Sequence, residues 1–147
     1  MAADPKQLKL AKNVTSQGIA FGLDRVPESE RIYYGSSDFK VYEYDFAAEK
    51  PESKAFAGEG HRSYVTTVAL AGTTVVSGSY DRRLVWWDTE TRKQVRVVAD
   101  AHGKRIRRVA ASPDGKLVAS VSDDMDVKVW DVASGEELRT LTGHNSI

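Results

Sequence analysis

Three histidines and one acidic run are the residues of this chain best suited to chemistry. His61, His102 and His144 follow one another at intervals of 41 and 42 residues. Imidazole groups that come together can ligate Zn²⁺ or act as general bases. The run Asp123–Asp126 contains three carboxylates, a ligand type that Ca²⁺ prefers. The chain has no cysteine, which excludes disulfides and thiolate metal sites.

Neither kind of site fits the pattern of these residues. The near-constant interval places each histidine at the boundary of a repeat, and no metal-ligand spacing accounts for it. A Ca²⁺ loop needs further oxygen ligands and a glycine at its sharp turn, where this chain has Met125. We therefore expect a solvated hairpin tip with one buried Asp, and no metal, cofactor or catalytic residue.

A stretch of twelve residues recurs along the chain and sets its organisation. Ser77–Asp88 (SGSYDRRLVWWD) is repeated at Ser120–Asp131 (SVSDDMDVKVWD) and, more weakly, at Tyr34–Asp45 (YGSSDFKVYEYD). The three copies lie 43 residues apart. A period of roughly 40–45 residues that ends in Trp-Asp is typical of a four-stranded propeller blade.

The segments between these copies have the residue patterns of short strands and turns, and in no segment do apolar residues recur with a sustained helical period. We predict an all-β fold of four-stranded antiparallel blades, three to the chain. Gly18–Gly22 is expected to be a buried inner strand, and Asp24–Glu30 a polar loop. The expected units are a tail with a spare outer strand (1–17), a degenerate blade (18–60), two regular blades (61–101 and 102–143) and the start of an absent fourth (144–147).

On these motifs the chain resembles the WD-repeat β-propeller family over nearly its whole length. The resemblance implies that each regular blade holds a buried network of four hydrogen-bonded side chains with a structural role. The residues at the matching positions are His61, Ser77, Asp81 and Trp87 in the second blade, and His102, Ser120, Asp124 and Trp130 in the third.

The first repeat departs from this pattern. Asp38 is retained, but Val14 lies about where the histidine belongs. Tyrosines take the places of Ser and Trp, and aromatic packing is expected to replace the network. The side chains concerned are Tyr33, Tyr34, Tyr42 and Tyr44.

Three blades do not close a ring, because propellers typically have 4–8. One explanation is that the chain is part of a longer propeller, natural or engineered. The other is head-to-tail association, in which two copies form a six-bladed ring, the favoured arrangement, or three copies form one of nine blades. In the pair, His144 of one copy would reach Asp38 beside Tyr44 of the next. Gln7–Lys12 and Leu138–Leu141 would then compete for one sheet edge.

Basic residues cluster at the strand starts and hairpin tips of the second and third repeats. In the family that the chain resembles, these loops share the face that engages partners, so this face is expected to receive an acidic peptide or phosphate. An ordinary solvated rim is the alternative. The residues concerned are Arg62, Arg82, Arg83, Lys104, Arg105, Arg107 and Arg108, together with Tyr80 and Asp123.

The resemblance implies a non-catalytic scaffold that binds proteins or peptides. A truncated or engineered fragment whose main property is self-assembly is the alternative, and an enzyme that uses a propeller face ranks third. Lys+Arg and Asp+Glu both total 21, so a neutral chain has no global attraction to nucleic acid or to an anionic membrane. Without a bilayer-length apolar run or a signal peptide, a cytoplasmic setting is expected.

Overall fold

The computed structural model describes residues 15–143, which form twelve strands in three antiparallel sheets. Blade one contains β1 (Ala20–Arg25), β2 (Arg31–Ser36), β3 (Val41–Asp45) and β4 (Lys54–Ala55). Blade two contains β5 (Val65–Ala71), β6 (Thr74–Ser79), β7 (Leu84–Asp88) and β8 (Lys93–Val98). Blade three contains β9 (Ile106–Ala111), β10 (Leu117–Ser122), β11 (Val127–Asp131) and β12 (Glu137–Leu141).

Within each blade the strands pair in chain order, so every blade is a simple meander of hairpins. The predicted all-β fold of four-stranded antiparallel blades is confirmed. No helix among residues 15–143 is long and apolar enough to cross a membrane.

The prediction for the innermost strand of blade one was wrong at both ends. The strand runs over Ala20–Arg25, so Asp24 lies inside it and not in a loop. Asp24 accepts a hydrogen bond from the backbone N–H of Leu70 in blade two (2.8 Å), which explains a carboxylate at this place. The strand is also less buried than expected, since 46% of Phe21 is exposed.

The turn between the first two strands differs in length among the three blades. Six residues lie between the paired residues Arg25 and Ile32 of blade one, and also between Ala111 and Val118 of blade three. The corresponding turn of blade two has only four, between Leu70 and Val75. The 43-residue spacing therefore holds after this turn and not before it.

Two adjacent tryptophans hold the blades together. Side chains alternate across a strand, so Trp86 and Trp87 of β7 point to opposite faces of blade two. Trp87, 2% exposed, packs in a cluster with Tyr33, Val41 and Phe56 of blade one. Trp86, 1% exposed, belongs to a second cluster with residues of blade three. The two faces of the blade-two sheet thus contribute to two different cores, one shared with blade one and one shared with blade three.

Blades one and two approach closely at two glycines. A Cβ atom on Gly22 would lie 2.6 Å from the carbonyl oxygen of Thr66, and one on Gly35 would lie 2.5 Å from that of Val65. Real Cβ atoms do not come so near a backbone oxygen, so this junction admits only glycine at both places.

The tyrosines of blade one divide between its two faces. Tyr34 and Tyr42 stack with their ring centroids 5.1 Å apart, and Tyr44 meets Phe46 edge-on at 4.8 Å. Tyr33 lies on the opposite face, in the cluster shared with blade two. Three of the four tyrosines named from the sequence therefore form one aromatic face.

Candidate functional site

In blade two, four side chains form a connected network beneath the hairpin tip. Trp87 Nε1 donates to Ser77 Oγ (2.7 Å), and the same oxygen lies 2.7 Å from His61 Nε2. His61 Nδ1 lies 3.2 Å from Asp81 Oδ2. The backbone N–H groups of Arg62 and Arg83 also donate to the Asp81 carboxylate, at 2.7 and 2.9 Å. The loop that precedes β5 is thereby tied to the β6–β7 hairpin.

Blade three repeats this arrangement. Trp130 Nε1 donates to Ser120 Oγ (2.8 Å), which lies 2.7 Å from His102 Nε2. His102 Nδ1 lies 2.9 Å from Asp124 Oδ2, and this oxygen also accepts the Gly103 N–H (2.8 Å). All eight residues matched to the family pattern are thus brought together in two sets of four.

The direction of these hydrogen bonds follows from the donors available. An indole only donates and a carboxylate only accepts. The serine hydroxyl therefore accepts from tryptophan and donates to Nε2, while Nδ1–H of the imidazole donates to aspartate. Both ring nitrogens of His61 and of His102 are occupied, and neither side chain is exposed. The arrangement braces a loop, and the Ser77 and Ser120 hydroxyls are fully buried and already accept from tryptophan.

The two buried carboxylates are held in their ionised form. Burial raises the pKa of Asp81, but hydrogen bonds from His61 and from the Arg62 and Arg83 backbone outweigh burial, so its pKa lies below the ordinary value. The pKa of Asp124 is lowered too, since the Asp126 and Gly103 backbone and His102 outweigh burial. Folding therefore favours the charged carboxylate in both blades.

We expect acid to weaken blade two through Asp81. Because the folded-state pKa is depressed, the stabilisation is complete above the pKa of an unstructured Asp, about 3.9, and is lost as the pH falls below that value toward the folded-state pKa. Urea unfolding of wild type and Asp81→Asn between about pH 3 and 7 measures it. The difference in unfolding free energy should shrink toward the acid end, and a constant difference contradicts the prediction. Asp100→Asn, on an exposed carboxylate, is the control.

The equivalent place in blade one is incomplete. Asp38 Oδ2 accepts the Tyr42 hydroxyl (2.6 Å), whereas its buried Oδ1 has no hydrogen-bond partner within residues 15–143. The backbone hydrogen bond from Ser37 N to Ile19 O in blade one corresponds to the bond from Tyr80 N to Tyr64 O in blade two. Ser16 precedes Ile19 by three residues, as His61 precedes Tyr64, so Ser16 occupies in blade one the position of His61. Val14, which the sequence analysis puts at about this position, lies outside the described residues, as does His144.

The basic rim of blades two and three contains one ordered cluster, which we call the arginine pair. The guanidinium groups of Arg105 and Arg107 lie 4.9 and 5.6 Å from the centre of the Tyr80 ring. Asp123 holds both, at 2.9 Å from Arg105 Nε and 2.6 Å from Arg107 Nε. The acidic run seen in the sequence is thus divided, since Asp123 serves this cluster and Asp124 serves the buried network.

The remaining predicted rim residues surround this cluster without joining it. Arg82 forms an exposed ion pair with Asp100 (3.3 Å). Arg62 and Arg83 contribute their backbone N–H groups to Asp81. Lys104 lines a small cavity of about 330 Å³ together with Tyr80 and the arginine pair's Asp123. The structure therefore groups five of the predicted rim residues: Tyr80, Lys104, Arg105, Arg107 and Asp123.

One position of each hairpin tip has a left-handed backbone. Phe39, Arg82 and Met125 have φ angles of 72°, 71° and 73°, and they occur at the same place in the three repeats. A residue with a Cβ atom pays a conformational penalty in this region. We call these three the tip positions.

Two exposed aromatic side chains beside Tyr80 were not singled out from the sequence. Tyr64 lies 6.0 Å from Tyr80, and Phe39 lies 5.9 Å from Tyr64, between ring centroids. The available signal was the register of the repeat, because Phe39 occupies the tip position that Arg82 occupies in blade two.

Three four-stranded meanders joined by inter-blade cores, two of them carrying the His-Ser-Asp-Trp network, define a repeat protein built of propeller-type blades. The family profile "WD domain, G-beta repeat" matches residues 53–88 and 92–131, together just over half of the chain. The chain therefore belongs to the WD-repeat family. Each matched segment begins at the outer strand of one blade and continues through three strands of the next.

Relatives and solved structures agree with this assignment. The small ribosomal subunit protein RACK1y of Oryza sativa subsp. japonica is 37% identical over 58% of the chain. The nuclear distribution protein PAC1 of Arthroderma otae is 32% identical over 75% of it. The chain spans 26% of each of these two relatives. The solved structure of U3-55K superposes with a TM-score of 0.81 at 22% identity, over 90% of this chain and 42% of that one.

Proposed function

We propose that this chain is a non-catalytic scaffold that binds proteins or peptides through the rim of blades two and three. Membership of the WD-repeat family supports this class of function. One relative is by its name a component of the small ribosomal subunit, which fits a role in assemblies. His61 and His102 are each used inside a structural network, which argues against a catalytic role for either.

The arginine pair is the observation that carries the proposal. Two guanidinium groups fixed on one aromatic ring lose less side-chain entropy on binding than free arginines do. Asp123 balances one of the two positive charges, so the cluster keeps a net positive charge beside Lys104. A carboxylate or phosphate is the complementary group, since guanidinium groups bind both through two parallel hydrogen bonds. The partner proposed is an acidic peptide segment.

Fluorescence anisotropy with a Glu-rich peptide and a matched Lys-rich peptide, at low and high salt, tests the proposal. The Glu-rich peptide should bind more tightly, and salt should weaken it because exposed charges are screened. Arg107→Gln should weaken binding. Arg108→Gln is the matched control, because it is Arg107, and not its neighbour, that lies on Tyr80 and Asp123. Equal binding of both peptides, or none, contradicts the proposal.

Self-assembly is a second candidate, favoured by the outer face of blade three. Leu84 and Trp86 of blade two are covered by blade three. The corresponding residues of blade three, Val127 and Val129, are only partly buried, and 48% of Leu141 beside them is exposed. This is the kind of surface that a further blade covers in blade two. We propose that two copies, each with blades at 18–60, 61–101 and 102–143, close a six-bladed ring.

In that ring, blade three of one copy lies against blade one of the next. His144 is then proposed to reach Asp38 of the next copy, whose Oδ1 has no partner within residues 15–143, in the blade where Tyr44 takes the place of the network tryptophan. β12 already takes the outer edge of blade three, so Gln7–Lys12, which lies outside the described residues, would have to pair elsewhere.

Multi-angle light scattering at micromolar concentration tests assembly. We expect twice the chain mass of 16.2 kDa for the six-bladed ring and three times that mass for a nine-bladed one. Leu141→Arg should lower the mass to that of one chain, because it places a charge on the face to be buried. A clean monomer for wild type contradicts ring closure. It would leave the alternative that the chain is a monomeric propeller fragment with no biochemical activity of its own.

A further inference from the structure

Three exposed aromatic side chains and the half-buried Tyr80 form a continuous surface across blades one and two, which we call the aromatic ladder. It consists of Phe21, Phe39, Tyr64 and Tyr80. Tyr64 is its centre, with Phe21 at 5.7 Å, Phe39 at 5.9 Å and Tyr80 at 6.0 Å between ring centroids. Phe39 and Tyr64 are 42% and 43% exposed. Contiguous exposed apolar surface of this kind marks interaction sites in soluble proteins.

Phe39 has features that point to a role outside folding. Its φ of 72° lies in the left-handed region, where glycine is the favoured residue. The side chain is exposed and belongs to none of the buried hydrophobic clusters of residues 15–143. The left-handed backbone is common to the three tip positions, so Phe39 is distinguished by a large exposed apolar ring with no place in a core. Binding explains such a side chain better than stability does.

The aromatic ladder and the arginine pair meet at Tyr80. One neighbour of the Tyr80 ring is Tyr64, and the guanidinium groups of Arg105 and Arg107 lie over the same ring. Arg107 Nη1 also donates to the Tyr80 hydroxyl (3.2 Å). An apolar surface therefore continues directly into a cationic one, and one ligand can touch both.

We propose that the partner is an extended peptide segment with apolar or aromatic side chains at one end and carboxylates at the other. The inference rests on the proposed binding of acidic peptides and adds the apolar half. From Phe39 to Arg105 the distances are 5.9 Å between the Phe39 and Tyr64 ring centroids, 6.0 Å between those of Tyr64 and Tyr80, and 4.9 Å from the Tyr80 centroid to the Arg105 guanidinium. At roughly 3.3 Å per extended residue, a segment of about five residues spans this surface.

Charge favours a peptide over single-stranded nucleic acid, which also stacks on aromatic rings. Asp123 lies within the arginine pair and reduces its charge. A chain of phosphates needs a continuous basic path, whereas a short run of carboxylates needs only one cluster. The formal net charge of the whole chain is zero.

Three fluorescein-labelled peptides separate the halves of the site: one with two Phe before three Asp, one with Ser for Phe, and one with Ser for Asp. We expect the first to bind wild type about tenfold more tightly than either of the others, a typical gain for an apolar anchor. Phe39→Gly should reduce its affinity to that of the Asp-only peptide and leave the Asp-only peptide unchanged. Met125→Gly, at the tip position of blade three, is the matched control.

Phe39→Gly is expected to fold at least as well as wild type, because glycine suits the left-handed backbone; thermal melting checks this, and Tyr64→Ser supplies a second variant. If the Asp-only peptide binds as tightly as the mixed one, the inference is overturned while the proposed function stands. If no Asp-containing peptide binds, the proposed function fails first. An oligouridine that competes more strongly than every peptide overturns the inference in favour of nucleic acid.

Discussion

Trp87→Ala is expected to lower the free energy of unfolding by about 3–5 kcal/mol, the usual cost of emptying a buried tryptophan site. Trp87 fills the core between blades one and two, where its ring meets Phe56 edge-on at 5.9 Å. The substitution also removes the indole donor from Ser77. Urea unfolding followed by far-ultraviolet circular dichroism measures the change without relying on the fluorescence of the residue that is removed.

Trp87→Phe separates the two effects. It keeps an aromatic ring in the core and deletes the N–H donor, so it should cost about 1–2 kcal/mol, the value of one buried hydrogen bond and some packing. A loss of less than about 1 kcal/mol for Trp87→Ala would mean that the junction between blades one and two does not depend on this side chain.

Asp81→Ala should destabilise the chain by about 2 kcal/mol or more, and Asp124→Ala by a similar amount. Each change leaves the buried imidazole of the network without its acceptor. It also removes the acceptor of an exposed backbone N–H, that of Arg62 in blade two or Gly103 in blade three. Urea unfolding near neutral pH is the measurement.

Asp114→Ala is the matched control, because Asp114 is an exposed turn residue that also accepts a backbone N–H, from Lys116. It should cost well under about 1 kcal/mol, since water replaces what an exposed carboxylate loses. Losses below about 0.5 kcal/mol for both Asp81→Ala and Asp124→Ala would contradict a stabilising role for the networks.

The parts of the networks within one hairpin could be predicted from the sequence. Ser77, Asp81 and Trp87 belong to the hairpin β6–β7, whose length is the same in blade three. A constant length keeps the offsets between the three residues constant, so counting finds them. The strands of blades two and three were recognisable for the same reason.

The histidine position of blade one depends on the blade from which the count starts. The turn that follows it has two more residues than that of blade two and as many as that of blade three. One period of 43 residues counted back from His61 therefore gives Gly18, whereas two periods counted back from His102 give Ser16. Asp24 was placed in a loop because a carboxylate inside a strand has no local explanation. Its reason is the N–H of Leu70 in another blade, which sequence proximity does not reveal.

The contacts among the rim residues could not be predicted from the sequence either. Tyr80 lies at a hairpin tip of blade two, whereas Arg105 and Arg107 begin the first strand of blade three. Their contact depends on how the two blades pack, which is decided by the core around Trp86 and Trp130. The residue types predict a basic rim, but only the packing of the blades shows which arginines lie over the same tyrosine side chain.

The tip positions offer a route to new affinity reagents. Phe39, Arg82 and Met125 have the same backbone conformation and differ completely in chemistry, while the hairpins below them keep their register. Randomising these three codons in a display library would vary the recognition surface without touching either inter-blade core. The variant with glycine at all three positions is the reference for such a library, because it retains the scaffold and lacks only the side chains of the tip positions.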